Sequence, residues 1–177
     1  MMPDNLILVG FMGAGKSAVG RLLAKRLGRC LVETDEMIVA REGKSIPEIF
    51  AEKGEPYFRA REAEALELLK LKRGDVIATG GGLPCASGAM EALHALGTVI
   101  WLTAAPDTLY RRASRAGDRP MLENRSREEV AALLRQREPY YSQAHITVDT
   151  TALGLDAVVN RILVLLNARA RSHACQS

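Results

Sequence analysis

Five short, mostly apolar runs recur along the chain, at 6–9, 30–33, 76–79, 98–102 and 146–149. Longer stretches with helical spacing of apolar and polar positions lie between them, at about 17–27, 35–41, 46–53, 56–72, 87–95, 106–116, 126–143 and 156–170. Strands this apolar are covered on both faces, and helices between successive strands make the sheet parallel. The pattern therefore predicts an α/β fold, a five-stranded parallel sheet with helices on both faces. Ser45-Ile46-Pro47-Glu48 reads as a capping box with an early proline, which marks one helix start. There is no repeat, low-complexity segment or convincing linker, so residues 1–177 read as a single domain with a polar, fraying tail at about 169–177. In such sheets ligands bind beyond the carboxyl ends of the strands.

The first such strand end carries G-F-M-G-A-G-K-S from Gly10 to Ser17, which satisfies G-x-x-x-x-G-K-[ST] between a strand and a helix. Glycines let successive backbone N–H groups turn onto phosphate oxygens, and the helix that starts near Lys16 adds the positive end of its dipole. Gly13, Ala14, Gly15, Lys16, Ser17 and Ala18 are thus the candidate nucleotide-binding residues. Lys16 reaches the terminal phosphates, and the Ser17 hydroxyl is a ligand for Mg²⁺.

Glu33-Thr34-Asp35 follows the second strand. Two carboxylates at that spacing can hold a metal-bound water and orient an attacking hydroxyl; for Asp35, capping of the next helix is the alternative. Arg59 and Glu62 share a helical face, either as a surface pair or with Glu62 aiming Arg59 at an anionic substrate. Gly80-Gly81-Gly82 after the third strand is either a tight turn or a place where backbone approaches something closely. The arginine-rich segment with Arg111, Arg112, Arg115, Arg119, Arg125 and Arg127 reads as a solvated run or, better, as a mobile lid over a phosphate site, at about 112–127.

Charge and composition narrow the choice. Twenty-four basic against 21 acidic residues give +3, too balanced to argue for nucleic acid. No run approaches the roughly 20 apolar residues that span a bilayer. Nothing near the start resembles a signal peptide. Three cysteines, Cys30, Cys85 and Cys175, share no metal-type spacing and read as reduced thiols of a cytoplasmic protein.

Five ordered signatures, G-F-M-G-A-G-K-S, T-D at Thr34-Asp35, F-R-x-x-E at Phe58 to Glu62, G-G-G at Gly80 to Gly82 and D-R-P at Asp118 to Pro120, make the chain resemble the shikimate kinases over nearly its whole length. The resemblance implies a P-loop kinase of the nucleoside-monophosphate-kinase type with a mobile lid, acting as a monomer. It also implies transfer of the γ-phosphoryl group of ATP to the 3-hydroxyl of shikimate, with Mg²⁺. By the same resemblance Asp35 binds the shikimate hydroxyls and acts as base or orienter, while Arg59 and Arg137 hold its carboxylate. Gly81 contacts the ring through its backbone, Arg119 is the lid arginine on the transferred group, Arg112 lies against the adenine, and Lys16, Asp35 and Arg119 carry the catalysis. The acceptor-binding region falls at about 34–62. The chain departs from the family at Glu33, where aspartate is commoner and contact with the metal through water is implied. It departs also at Ala18, at Met121 and near Leu155, where some relatives have a proline. A kinase for another small hydroxy acid and a nucleotide-dependent switch are the rival readings; a switch has no reason to keep Asp35, Arg59 and the glycines.

Overall fold

The computed structural model describes residues 4–115 and 126–174. All five apolar runs are strands: β1 (Asn5–Val9), β2 (Leu31–Glu33), β3 (Val76–Ala78), β4 (Gly97–Thr103) and β5 (Ile146–Asp149). They form one parallel sheet in the order β2-β3-β1-β4-β5. Every residue of β1 and β3 is buried, as a strand covered on both faces requires. β5 lies at the edge and alternates buried and exposed positions. Ile7 and Ile100 pair with neighbours at the centre and are fully buried. Truncating either to alanine would cost about 2–5 kcal/mol.

The helices are α1 (Lys16–Leu27), α2 (Thr34–Glu42), α3 (Ile46–Leu69), α4 (Ala89–Leu96), α5 (Pro106–Arg115), α6 (Arg127–Tyr141) and α7 (Leu155–Ala174). α3 contains the two helices expected from the pattern, joined at Gly54, whose φ of 77° and ψ of 173° break the helical path. Ser45 and Glu48 form the anticipated capping box at its start, and Ser126 with Glu129 forms another on α6. α7 continues to Ala174 instead of fraying from 169, since the alanines and arginines there are good helix formers. Among the described residues no helix is long and apolar enough to cross a membrane.

At the amino end of the sheet Asn5 is wholly buried and fully used. Its amide donates to the carbonyls of Lys72 and Leu96, and its Oδ1 accepts from Asp75 N–H. The opposite end, where β1, β2 and β3 run out into Gly10, Glu33 and Thr79, is left for the site.

Candidate active site

α1 begins without a side-chain cap and without an acidic residue in its first turn. Its N-cap is Gly15, held in the left-handed region at φ 91°. An uncapped helix start presents backbone donors and the positive dipole end together, which is how a fold prepares for a phosphate. Lys16 curls over the same loop, donating from Nζ to the carbonyls of Gly10 at 2.9 Å and Phe11 at 3.0 Å. Ala14 is buried, and its N–H bonds to Phe11 O at 3.2 Å.

A cavity of about 310 Å³ collects most of the sequence's candidates: Gly13, Gly15, Lys16, Ser17 and Ala18 from the loop, Glu33 and Asp35 from the second strand end, and Gly81 and Arg112 from the other side. Arg112 is fixed by two hydrogen bonds of 2.9 Å to the hydroxyl and carbonyl of Thr150, which tie α5 to the loop after β5. Glu33 faces Glu36, and the repulsion between them raises the pKa of Glu36. Arg21 approaches Glu33 only to 3.5 Å and is 69% exposed, so that pair is weak. Ser17 and Glu33 both line this cavity and offer hard oxygen donors, a type that suits Mg²⁺.

A second cavity of about 570 Å³ adjoins the first along the glycines, with Gly81 lining one and Gly82 the other. Arg59 and Arg137 line this second cavity. Arg59 donates to Glu62 at 2.5 Å and to Glu55 at 2.6 Å. Burial disfavours the Arg59 charge, but Glu62 and Glu55 outweigh it and raise its pKa. Glu62 is 3% exposed, and desolvation lifts its pKa above the ordinary carboxylate value despite the pull of Arg59. Arg137 is 7% exposed and lies over the Phe11 ring at 5.8 Å. Two fixed guanidinium groups over one cavity are suited to a carboxylate.

Two of the three glycines, Gly80 and Gly82, are crowded by neighbouring side chains, while Gly81 has ordinary contact distances around it. None of them is among the glycines with positive φ. A methyl group on Gly80 would overlap Asp35 Oδ1 and lie 3.0 Å from Glu62 Oε1. One on Gly82 would overlap the Arg59 guanidinium. Asp35 therefore faces the glycine loop, while the N-cap of α2 is Glu33, which makes no side-chain capping bond. Thr34, named in the sequence only beside its charged neighbours and in the T-D signature and given no role of its own, accepts from Gly80 N–H at 2.8 Å and fixes where the loop starts. Three other residues of the site also went unread: Glu55, four residues before Arg59; Cys85, in a short 3-10 turn; and Tyr141, four residues after Arg137. Only the i, i+4 spacings of Glu55 and Tyr141 carried a signal. Arg119 lies outside the described residues.

The comparisons with known proteins agree with this geometry. The family model described as SKI: Shikimate kinase matches residues 12–167. A shikimate kinase of Moorella thermoacetica is 44% identical over 167 residues, covering 94% of this chain and 96% of its own. One of Symbiobacterium thermophilum is 45% identical over 169 residues, covering 93% and 97%. Among solved structures, shikimate kinase from Acinetobacter baumannii in complex with shikimate superposes with a TM-score of 0.90 at 36% identity, covering 94% of each chain. A deoxyadenosine kinase from M. mycoides, 16% identical with a TM-score of 0.61 over 93% of this chain and 99% of its own, shares the fold alone. With a family model spanning most of its length and relatives this similar over nearly all of theirs, the chain belongs to the shikimate kinase family.

Proposed function

We propose that this protein transfers the γ-phosphoryl group of ATP to the 3-hydroxyl of shikimate, with each cavity taking one substrate. The observation that carries the reading is the junction at Gly80 to Gly82. On one side of it lie the phosphate loop and Asp35, and on the other Arg59 and Arg137. Arg59 is already paired with Glu62 and Glu55, and an anionic acceptor gives the two guanidinium groups over this cavity a shared counter-charge that a neutral one would not.

In this reading the acceptor carboxylate is held by Arg59 and Arg137, and Gly81 meets the ring through its backbone. Asp35 binds the ring hydroxyls and receives or orients the proton of the attacking one. The acceptor oxygen forms its bond to the γ-phosphorus as the bond from that phosphorus to the β,γ-bridging oxygen breaks, and ADP leaves with that electron pair. Phosphoryl transfer asks little covalent work of a protein, so positioned cations supply most of the acceleration. Lys16 and the loop N–H groups from Gly13 to Ala18 serve the phosphates, and Arg112 flanks the base. Arg119 is assigned to the transferred group from the family pattern alone. Ser17 would hold Mg²⁺ directly and Glu33 through water, and the ion supplies charge neutralisation on the phosphates when bound. A monomer is the oligomeric state proposed, and the free thiols of Cys30 and Cys85 favour a reducing, cytoplasmic setting.

A coupled assay for ADP release with and without shikimate, repeated over a panel of hydroxylated carboxylic acids, tests the reading. Shikimate-dependent turnover well above that with the other acids is the expected result. Equal turnover with another acid, or ADP release indifferent to shikimate, overturns it.

A further inference from the structure

We infer that Tyr141 is a positioning residue for the acceptor, acting through the carbonyl of Gly81; the inference rests on the proposed reading of the two cavities. Tyr141 is wholly buried, and its phenol donates to Gly81 O at 2.5 Å. Arg137 stands one turn earlier on the same face of α6. Gly81 itself is the meeting point of the site. A methyl group there would lie 3.5 Å from Gly10 O, 3.6 Å from Met12 N and 3.6 Å from Arg137 Nη1. One helix thus holds both the cation for the acceptor carboxylate and the peptide that faces the acceptor ring.

Three consecutive glycines have more backbone freedom than any other tripeptide. Fixing the Gly81 carbonyl removes that freedom where it matters, because the planar trans peptide fixes the Gly82 N–H at the same time. Thr34 anchors the loop's first glycine, and Tyr141 anchors its second. Burial raises the pKa of the phenol, which keeps it an O–H donor wherever the enzyme works. Packing against Trp101, with ring centroids 6.1 Å apart, needs only the ring. The hydroxyl is therefore the part of Tyr141 that packing does not explain. Cys85 Sγ lies 4.0 Å from the same carbonyl and is at most a weak second donor.

Tyr141→Phe keeps the ring and deletes the donor. Steady-state kinetics should show kcat/KM for shikimate lowered roughly tenfold, chiefly through KM, as losing one buried hydrogen bond implies, with KM for ATP within about twofold of wild type. Amide exchange of residues 80–83 should quicken without acceptor present. Val148→Ala, a truncation at a buried position of β5 that lines neither cavity, serves as the packing control: it should lower Tm without moving the shikimate KM. Cys85→Ala should have a much smaller effect than Tyr141→Phe. If Tyr141→Phe leaves both the shikimate KM and the exchange of 80–83 unchanged in an active enzyme, this inference alone fails. Equal losses for shikimate and ATP, or the same pattern in Val148→Ala, would reduce Tyr141 to a packing role. A wild type inert toward shikimate overturns the proposed function and this inference with it.

Discussion

Lys16 and Asp35 are the residues at which a role in the site and a role in the fold can be separated by substitution. Lys16 is held by two loop carbonyls, and no apolar packing depends on its ammonium. Lys16→Ala should leave Tm nearly unchanged while kcat falls by more than about tenfold, a barrier increase above roughly 1.4 kcal/mol. Thermal melting and single-turnover rates check the two halves separately. Asp35 was ambiguous in the sequence because an acid at a helix start serves the dipole equally well. The structure puts Asp35 in the first turn of α2, where it serves the dipole, and also against Gly80 and Glu62, where it faces the site. Asparagine caps about as well as aspartate. Asp35→Asn should therefore lower kcat steeply with ATP affinity and Tm held, and a variant with wild-type turnover would return Asp35 to a capping role.

Element by element, the strands and most helices were legible because burial on two faces writes a continuous apolar run, and burial on one face writes a period near 3.6. The short 3-10 turn Leu83–Cys85 left no periodic trace, and α4 starts later than its pattern because Gly88 enters the left-handed region as its N-cap. The glycine loop was legible in composition and not in purpose, since sequence does not say which side chains press against a glycine. Gly82→Ala tests that purpose. The overlapping atoms are the far end of the Arg59 side chain, so the fold can accommodate the methyl group by displacing the guanidinium. That displacement breaks the geometry set by Glu55 and Glu62. Gly82→Ala should fold with a Tm close to wild type and yet lose shikimate affinity, by an amount on the order of 2–5 kcal/mol if the charged contact is lost altogether. At the start of α3 the capping box predicts the opposite split: Ser45→Ala should cost about 1 kcal/mol of stability with KM values unchanged.

At the scale of the molecule, the candidate site joins Lys16, Asp35, Arg59 and Arg137 from four helices with Gly81 from the loop after β3. Each residue type was readable alone; their assembly follows from the strand order, which places β3 between β2 and β1 and so sets Gly80 to Gly82 between Asp35 and the phosphate loop. Glu62 links this assembly to pH. Its pKa is raised, first by desolvation and then by the charge of Asp35, against the opposing pull of Arg59 and Arg137. A raised carboxyl binds more protons in the folded than in the unfolded state. Its contribution to stability is thus fully present below the unfolded pKa and is lost as pH rises through the higher, folded value. Glu62→Gln, which mimics the protonated acid, should accordingly gain in Tm relative to wild type as pH rises through that window. Activity runs the other way. On acidification Glu62 takes up its proton before an ordinary carboxylate would, the partner that aims Arg59 loses its charge, and the shikimate KM should rise while the ATP KM holds and the contribution of Glu62 to Tm increases. In Glu62→Gln the shikimate KM should be high throughout and this acid limb should vanish. Measuring both KM values and Tm from neutral pH down to the ordinary carboxylate range decides the matter: an acid limb that persists unchanged in Glu62→Gln, or appears equally in the ATP KM, would assign it to another group.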